Sequence, residues 1–190
     1  MSRRRKKAQT ALIAGVVALI LAAAQNNGYL KPATQKVVVA QPGLYQVTSF
    51  SDGDTFTVDM NGTKEKVRLI GVDTPETHDP RKSVQCFGKA ASNFTKNLIG
   101  QNRVRLTADP TNTDRDRYNR LLRYAYLPDG RLVNAEIIKQ GYGFAYVYFP
   151  FEKLEEFRSY EKDARQKNLG LWGQCTPTTD DKGQSKSNDS

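Results

Sequence analysis

The residues best suited to chemistry lie in one run that begins at Arg68, Arg-Leu-Ile-Gly-Val-Asp-Thr-Pro-Glu. Its first five residues have the apolar and β-branched content of a buried strand. Asp73 and Glu76 follow on a loop, where a rigid scaffold commonly presents reactive groups. Pro75 fixes its own backbone and pushes Thr74 toward an extended conformation, which gives the Thr74 carbonyl a defined direction.

Two further motifs bring more charges of the same kinds. The run Ser-Asp-Gly-Asp-Thr places Asp52 and Asp54 at the start of another strand, and Asp-Arg-Tyr-Asn-Arg ends at Arg120. Carboxylates and carbonyls are the ligands that calcium and magnesium prefer, and the sequence has no Cys and His cluster that would indicate zinc. An arginine fork matches two phosphate oxygens. Together these motifs predict a site for a divalent cation and a phosphate, although each motif alone is common in ordinary turns and helix starts.

Taken in order, four motifs resemble those of the staphylococcal nuclease (thermonuclease) family: Asp52–Thr55, Arg68–Glu76, Asp116–Arg120 and Ala145–Tyr148. The resemblance covers roughly residues 44–173. It implies a hydrolase that cleaves the 5′ P–O bond of DNA and RNA, inside a strand or from its end, and leaves 3′-phosphate ends.

The resemblance also implies a role for individual residues. A calcium ion would be held by Asp54, Asp73 and the Thr74 carbonyl, with Asp52 close behind. The catalytic groups would be Arg68 and Arg120, which clamp the phosphate, and Glu76, which orients or deprotonates the attacking water. The nucleic-acid contacts would be Arg81, Lys82, Arg117, Tyr118, Tyr146 and Tyr148.

The chain departs from the family pattern at three positions. Phe56 stands where a smaller aliphatic residue is usual, and Asn119 replaces a glycine before Arg120. Asparagine tolerates a positive φ better than most residues, so the turn at Asn119 is expected to survive. Arg123 replaces a small residue, and we expect it either to alter the packing or to add a phosphate contact.

The order of strands and helices predicts an α+β fold, an OB-fold with a five-stranded β-barrel and three packed helices. Asn61-Gly62 is a strong hairpin signal between the second and third strands. Helical spacing of apolar residues follows Gln85 and returns at Glu152–Lys167, and Asn134 is expected to cap a short helix between them.

The two ends of the chain differ from its middle in composition. Residues 1–24 hold a basic start and an unbroken apolar run over 11–24, which is typical of a signal peptide or a retained N-terminal membrane anchor. Residues 25–43 are predicted to be a linker, 44–175 the nuclease domain, and 176–190 a disordered polar tail. Most of the net charge of +9 lies outside the domain, since residues 44–175 carry 20 Lys and Arg against 17 Asp and Glu. We therefore expect attraction to nucleic acid to be local.

Two cysteines in an exported chain favour a disulfide between Cys86 and Cys175 over two free thiols. The bridge would close a loop of about 90 residues and add up to roughly 4 kcal/mol to the free energy of unfolding. The expected protein is an exported monomer, secreted or periplasmic, or membrane-anchored by its N-terminus.

Two other functions fit parts of the sequence. A non-catalytic nucleic-acid-binding OB-fold module at the cell surface would keep the basic and aromatic residues, but would not need three carboxylates beside two arginines. An adhesion or structural protein would need the apolar run to be retained and would show no nuclease activity.

Overall fold

The computed structural model describes residues 43–77 and 84–189. Five strands form a closed barrel, namely β1 (Leu44–Asp52), β2 (Thr55–Met60), β3 (Thr63–Leu69), β5 (Arg103–Thr107) and β6 (Leu121–Tyr126). Around the barrel they follow the order β1-β2-β3-β6-β5. Two short pairs lie outside the barrel, namely β4 (Val72–Asp73) with β7 (Phe144–Ala145), and β8 (Thr178–Thr179) with β9 (Ser185–Lys186).

Barrel closure depends on one bent strand and one parallel pairing. The register of β1 against β2 shifts twice, between Val47 and Ser49 and between Phe50 and Asp52. Such bulges bend a strand and increase its twist, so β1 can pair with both β2 and β5. The other adjacent strands are antiparallel, whereas β3 and β6 run parallel. The predicted α+β OB-type barrel is confirmed.

Helices pack around the barrel in the predicted order. They are α1 (Gly88–Ile99), α2 (Val133–Lys139), α3 (Leu154–Gln166) and a single turn, α4 (Leu171–Gln174). Each of the three longer helices turns apolar residues inward, including Ala91 and Ile99 from α1, Ile137 from α2 and Phe157 from α3. These side chains join the barrel core. Phe56, which stands where the family pattern has a smaller aliphatic residue, is also buried in this core.

The expectation for Asn134 was wrong. Asn134 lies inside α2, and its side chain is fully buried instead of capping the helix. Its Oδ1 accepts a hydrogen bond from the Ala125 backbone at 3.0 Å, and its Nδ2 donates to the Ile70 carbonyl at 2.9 Å. The amide therefore joins α2 to β6 and to the end of β3, a role that requires the tertiary fold.

The predicted disordered tail is instead a hairpin. A disulfide joins Cys86 to Cys175, so the segment after it begins beside the start of α1. The Cys86 backbone N–H donates to the Asn188 carbonyl at 2.9 Å, and the Ser187 hydroxyl donates to the Cys86 carbonyl at 2.8 Å. Hydrogen bonds of this kind order a polar segment that has too few apolar residues to build a core of its own.

The predictions for residues 1–42 and for Arg81 and Lys82 concern positions outside the described residues. Within 43–77 and 84–189, no helix combines the length and the apolar character needed to cross a membrane.

Candidate active site

A cavity of about 690 Å³ opens where β2, β3 and β4 meet the loop that precedes β6. It collects most of the described residues that the sequence singled out: Asp52, Asp54, Arg68, Asp73, Thr74, Glu76, Arg117, Tyr118, Arg120 and Tyr146. These residues come from separate strands and loops, so the barrel brings the four sequence motifs together.

Asp54 is buried at the start of β2 and is held by its neighbours. Its Oδ2 accepts hydrogen bonds from the backbone N–H and the hydroxyl of Thr74, both at 2.9 Å. Its Oδ1 accepts from the Thr55 hydroxyl at 2.9 Å. The carboxylate is therefore fixed in direction, and it ties the Thr74 backbone to the barrel.

Arg68 lies between two carboxylates. Its Nη1 is 3.2 Å from Asp54 Oδ2, and its Nη2 is 3.4 Å from Asp73 Oδ1. Nη1 also donates to the Val72 carbonyl at 2.6 Å, and the side chain is only 14% exposed. We call Asp54, Arg68 and Asp73 the charged wall, because one guanidinium holds both carboxylates on the same side of the cavity.

A tight turn after β3 creates this arrangement. Gly71 has a φ of 70°, and a Cβ atom there would come within 2.5 Å of the Phe151 ring, so only glycine fits. The Gly71 carbonyl accepts a hydrogen bond from the Tyr146 N–H at 2.9 Å. Pairing of β4 with β7, Val72 opposite Ala145, then brings Tyr146 beside the charged wall. Burial first, and then the nearby Asp73 carboxylate, raise the pKa of the Tyr146 hydroxyl, so Tyr146 is neutral at pH 7.

Glu76 lies on the loop after β4, and its backbone is clamped. Its N–H donates to Gln85 Oε1 at 2.8 Å, and its carbonyl accepts from the Gln85 N–H at 3.0 Å. The side-chain Oε1 accepts from the Thr77 N–H at 3.0 Å. Thr77 in turn donates its hydroxyl to Asp52 Oδ1 at 2.7 Å, which ties this loop to the end of β1.

Arg120 is oriented by Asp116. Its Nε donates to Asp116 Oδ2 at 2.6 Å, while Asp116 Oδ1 accepts from the N–H groups of Tyr118 and Arg120, both at 2.9 Å. Burial acts to raise the pKa of Asp116, but these hydrogen bonds outweigh it and lower the pKa. Asn119 has a φ of 64°, the left-handed conformation that asparagine was expected to tolerate at this position.

Two further arginines hold this loop through contacts with the protein. Arg115 makes a two-point ion pair with Glu65 of β3, at 2.9 and 3.0 Å. Arg123 is buried, and its Nη2 contacts Asp114 Oδ1 at 2.5 Å while Nη1 donates to the Leu122 carbonyl at 2.7 Å. The structure therefore supports the packing expectation for Arg123, and Arg123 does not line the cavity.

Aromatic rings border the cavity beside the charged wall. We call Tyr146, Tyr148 and Phe149 the aromatic cluster, because the Tyr146 ring centroid lies 5.4 Å from that of Tyr148 and 5.9 Å from that of Phe149. Tyr146 and Phe149 line the cavity, whereas Tyr148 is not among its lining residues. Tyr118 is 65% exposed, and Arg117 both donates to its hydroxyl at 2.8 Å and lies over its ring.

Sequence reasoning missed several residues of the cavity, including Asn112, Thr113, Arg115, Phe149 and Phe151. The position of Phe149 directly after the Tyr-Val-Tyr run was a usable signal. Asn112 and Thr113 lie in a polar loop, and the sequence did not predict that this loop borders the cavity.

The geometry suits a reaction in which negative charge builds up on an oxyanion. Fixed guanidinium groups at Arg68 and Arg120 neutralise such charge without having to reorganise. The donor set of two carboxylates and a backbone carbonyl is all oxygen, which is the ligand type that a hard divalent cation such as calcium prefers. Among the described residues there is no cluster of three or more His, Cys, Asp or Glu side chains at metal-binding distance, so protein carboxylates would supply only part of the ligand shell.

Comparison with known proteins finds one family model and several nucleases that are similar to this chain. Residues 66–174 match the family described as staphylococcal nuclease homologue. A thermonuclease of Staphylococcus intermedius is 39% identical over 162 residues, covering 85% of this chain and 93% of the relative. A thermonuclease of Staphylococcus hyicus is 37% identical over 88% of this chain and 98% of the relative, and the endonuclease YncB of Bacillus subtilis is 42% identical over 64% and 57%. With this coverage and with the barrel that carries the four motifs, the chain belongs to the staphylococcal nuclease family.

Proposed function

We propose that this protein is a calcium-dependent nuclease that cleaves the 5′ P–O bond of DNA and RNA and leaves 3′-phosphate ends. The broader class, a nuclease that hydrolyses phosphodiester bonds, follows from family membership. The observation that carries the finer proposal is the charged wall, in which Arg68 contacts Asp54 and Asp73 within 3.4 Å. Arg120 and Glu76 line the same cavity.

Calcium would be held by Asp54, Asp73 and the Thr74 carbonyl, with Asp52 behind them. Hydrogen bonds from Thr74 hold the Asp54 carboxylate in one direction, which favours a preformed site. When bound, the cation would neutralise charge on the scissile phosphate.

Side chains of the cavity would bind the phosphate and activate the attacking water. Arg68 and Arg120 would clamp the nonbridging phosphate oxygens with two-point hydrogen bonds that strengthen as charge develops. Glu76 would orient the attacking water or accept its proton, because it is a carboxylate held at the edge of the same cavity.

The nucleotide would be positioned by side chains at the cavity rim. We assign this role to Tyr118, Tyr146 and Arg117, with Tyr148 adjacent to them. Base stacking on aromatic rings and phosphate contacts from arginine are the usual means of holding a single strand. Arg81 and Lys82 remain proposals for further phosphate contacts.

We further propose that the protein is exported, to the medium or the periplasm. The disulfide between Cys86 and Cys175 supports an oxidising compartment. If residues 1–24 are cleaved as a signal peptide, N-terminal sequencing of the exported protein should begin at or near Gln25. Full-length chains found only in membranes would favour the anchor instead.

The experiment that tests the proposed function is hydrolysis of denatured DNA and of RNA across a calcium titration. We expect Glu76→Gln to retain the calcium requirement of the wild type while slowing turnover, and Asp54→Asn to raise the calcium concentration needed for half-maximal rate. Asp129→Asn is the matched control, because Asp129 lies in an exposed turn outside the cavity and should behave as wild type. Full activity in a chelator, or products ending in 5′-phosphate, would contradict the proposal.

A further inference from the structure

Phe149 is a large apolar side chain that the fold leaves in water. Its side chain is 58% exposed, yet it lines the same cavity as Arg68 and Arg120. Its ring is tilted by 40° from that of Tyr146, with centroids 5.9 Å apart. The two rings therefore lie next to each other in the lining of the cavity that contains the charged wall.

The exposure of Phe149 does not come from a loose backbone. The Pro150 carbonyl accepts a hydrogen bond from Asn112 Nδ2 at 2.7 Å, and Pro150 itself restricts Phe149 to extended conformations. The next ring, Phe151, is buried against Phe157 with centroids 5.5 Å apart. The two residues after Phe149 are thus held in place, while the Phe149 ring itself stays exposed.

An exposed aromatic ring on a fixed backbone, in a cavity lined by arginines, is suited to binding nucleic acid. Every nucleobase offers a flat apolar face, so stacking on an aromatic side chain does not depend on base identity. The guanidinium groups of Arg68, Arg117 and Arg120 line the cavity and would bind the backbone that carries the bases. Phosphate and base recognition can therefore occur in one cavity.

We propose that Phe149 forms a second base-stacking subsite, which binds the base of the nucleotide next to the one held at Tyr146. The inference rests on the proposed function, and it adds a binding role for a residue outside the four motifs. It requires that the protein bind at least two consecutive nucleotides of a single strand. A substrate with only one nucleoside would then leave Phe149 without a ligand.

The test compares Phe149→Ala with wild type on two substrates, a p-nitrophenyl phosphodiester of one nucleoside and a trinucleotide. Loss of one stacked base weakens binding by about 5- to 150-fold. We therefore expect KM for the trinucleotide to rise at least about fivefold with kcat little changed, and KM for the single-nucleoside substrate to stay constant. Phe149→Trp should restore the trinucleotide KM.

Two controls separate stacking from other effects. Leu44→Ala removes a comparably exposed apolar side chain, 49% exposed at the start of β1 and outside the cavity, and should leave both KM values unchanged. A trinucleotide with an abasic site at the stacked position should bind wild type and Phe149→Ala equally well. An equal change in KM for both substrates, or none for either, would overturn the subsite.

The proposal can also fail separately from the proposed function. If the wild type hydrolyses neither substrate, the function fails, and the subsite is then tested by fluorescence anisotropy with a labelled oligothymidylate. Weaker binding by Phe149→Ala than by Leu44→Ala would support the subsite in that case. Equal binding by the two variants would overturn it.

Discussion

The charged wall and the aromatic cluster border one cavity but are held in different ways. The charged wall depends mainly on residues near it in the chain. Arg68 contacts the carbonyls of Leu69 and Val72, and Asp54 accepts hydrogen bonds from Thr55 and from Thr74, which lies 20 positions later, just after β4. Its geometry is therefore set by the turns around β2, β3 and β4.

The aromatic cluster depends on residues far along the chain. The Tyr148 hydroxyl donates a hydrogen bond to the Asp180 carboxylate, and the Val147 N–H donates to Gln184 Oε1 at 2.9 Å. Glu161, on α3, accepts from the Ala145 N–H and from the Ser185 hydroxyl, both at 2.7 Å. We call residues 176–189 the C-terminal hairpin, and it braces the backbone that carries the cluster.

This difference suggests a division of labour within the domain. The match to the family covers residues 66–174, which includes most of the charged wall but ends before the hairpin. Under the proposed function, the groups assigned to meet developing charge are held locally by the barrel. The groups assigned to hold the nucleotide also rely on a tethered extension, so changes in the hairpin should affect binding more than turnover.

The largest effect is expected on the charged wall. Arg68→Lys keeps the positive charge but loses the planar fork, so it cannot contact both carboxylates and the phosphate in the same way. We expect kcat to fall by about 10²–10³-fold, or roughly 3–4 kcal/mol in activation free energy, with a much smaller change in KM. Arg120→Lys should behave similarly. Steady-state kinetics on denatured DNA at saturating calcium measures both parameters.

Arg131→Lys is the control for these variants, because Arg131 pairs with Asp129 on the surface and lies outside the cavity. Near-wild-type turnover of Arg68→Lys would mean that Arg68 is a structural strand residue. The charged wall would then differ from the aromatic cluster only in how it is held, and catalysis would have to be assigned to other residues.

The disulfide between Cys86 and Cys175 should affect stability first. It spans 89 positions of the sequence, so reduction should lower the free energy of unfolding by about 2–4 kcal/mol. Because it anchors the start of the C-terminal hairpin, KM should also rise more than kcat falls. Denaturant unfolding with and without reductant checks the first effect. The double variant Cys86→Ser, Cys175→Ser should show the lowered stability without reductant and should not respond to it.

Much of the charged wall could be predicted from the sequence, because its residues lie within short motifs whose local backbone sets their direction. Asp54, Arg68 and Asp73 are separated by at most 14 residues between neighbours, and a hairpin and a glycine turn bring them together. The meander of the first three strands followed from the same strand and turn signals, whereas the parallel pairing of β3 with β6 was not predicted. Position in a motif was thus enough to predict that these three side chains meet, and their assigned roles stay predictions.

The hairpin and Asn134 could not be predicted because their hydrogen-bond partners are distant in sequence. Ser187 donates to the Cys86 carbonyl, 101 residues earlier, and Ser185 donates to Glu161 on another element. Burial raises the pKa of Glu161, and the hydrogen bonds from Ser185 and Ala145 only partly offset it. A polar composition alone favours disorder, so the ordered hairpin that residues 176–189 form was not predicted.

A single contact between the hairpin and the aromatic cluster should have a moderate effect. Gln184 is buried, and Gln184→Ala removes the acceptor for the Val147 N–H. Leaving that donor unpaired costs about 1–3 kcal/mol. We expect a melting temperature several degrees lower and a higher KM for single-stranded DNA, with kcat little changed. Thermal unfolding and steady-state kinetics measure these changes.

Asn188→Ala is the matched control, because Asn188 contacts Thr176 and Asp189 near the disulfide instead of the aromatic cluster. It should leave KM as in the wild type. If the two variants raise KM equally, the hairpin acts through general stability and not through the Tyr146–Phe149 segment.

The smallest effect is expected for the surface pair of Tyr148 and Asp180. The hydrogen bond to the Asp180 carboxylate raises the pKa of Tyr148 to about 12, and the same bond lowers the pKa of Asp180. A raised tyrosine pKa stabilises the fold below the ordinary value near 10, and this contribution is lost as the pH rises from about 10 to 12. The lowered aspartate pKa gives a contribution that is lost as the pH falls below about 4.

Asp180→Asn should therefore reduce stability slightly and evenly between about pH 4 and 10, and the difference from wild type should vanish outside that window. An ultraviolet titration should show one tyrosine fewer ionising near pH 12 and one more near pH 10. Tyr148→Phe identifies that tyrosine, since it should remove one of the tyrosines that ionise near pH 12. Tyr160 should still ionise there, because its hydrogen bond to Glu156 raises its pKa to about 12. If neither variant lowers the number of tyrosines that ionise near pH 12, Tyr148 is not one of them, and the hairpin has no electrostatic link to the aromatic cluster.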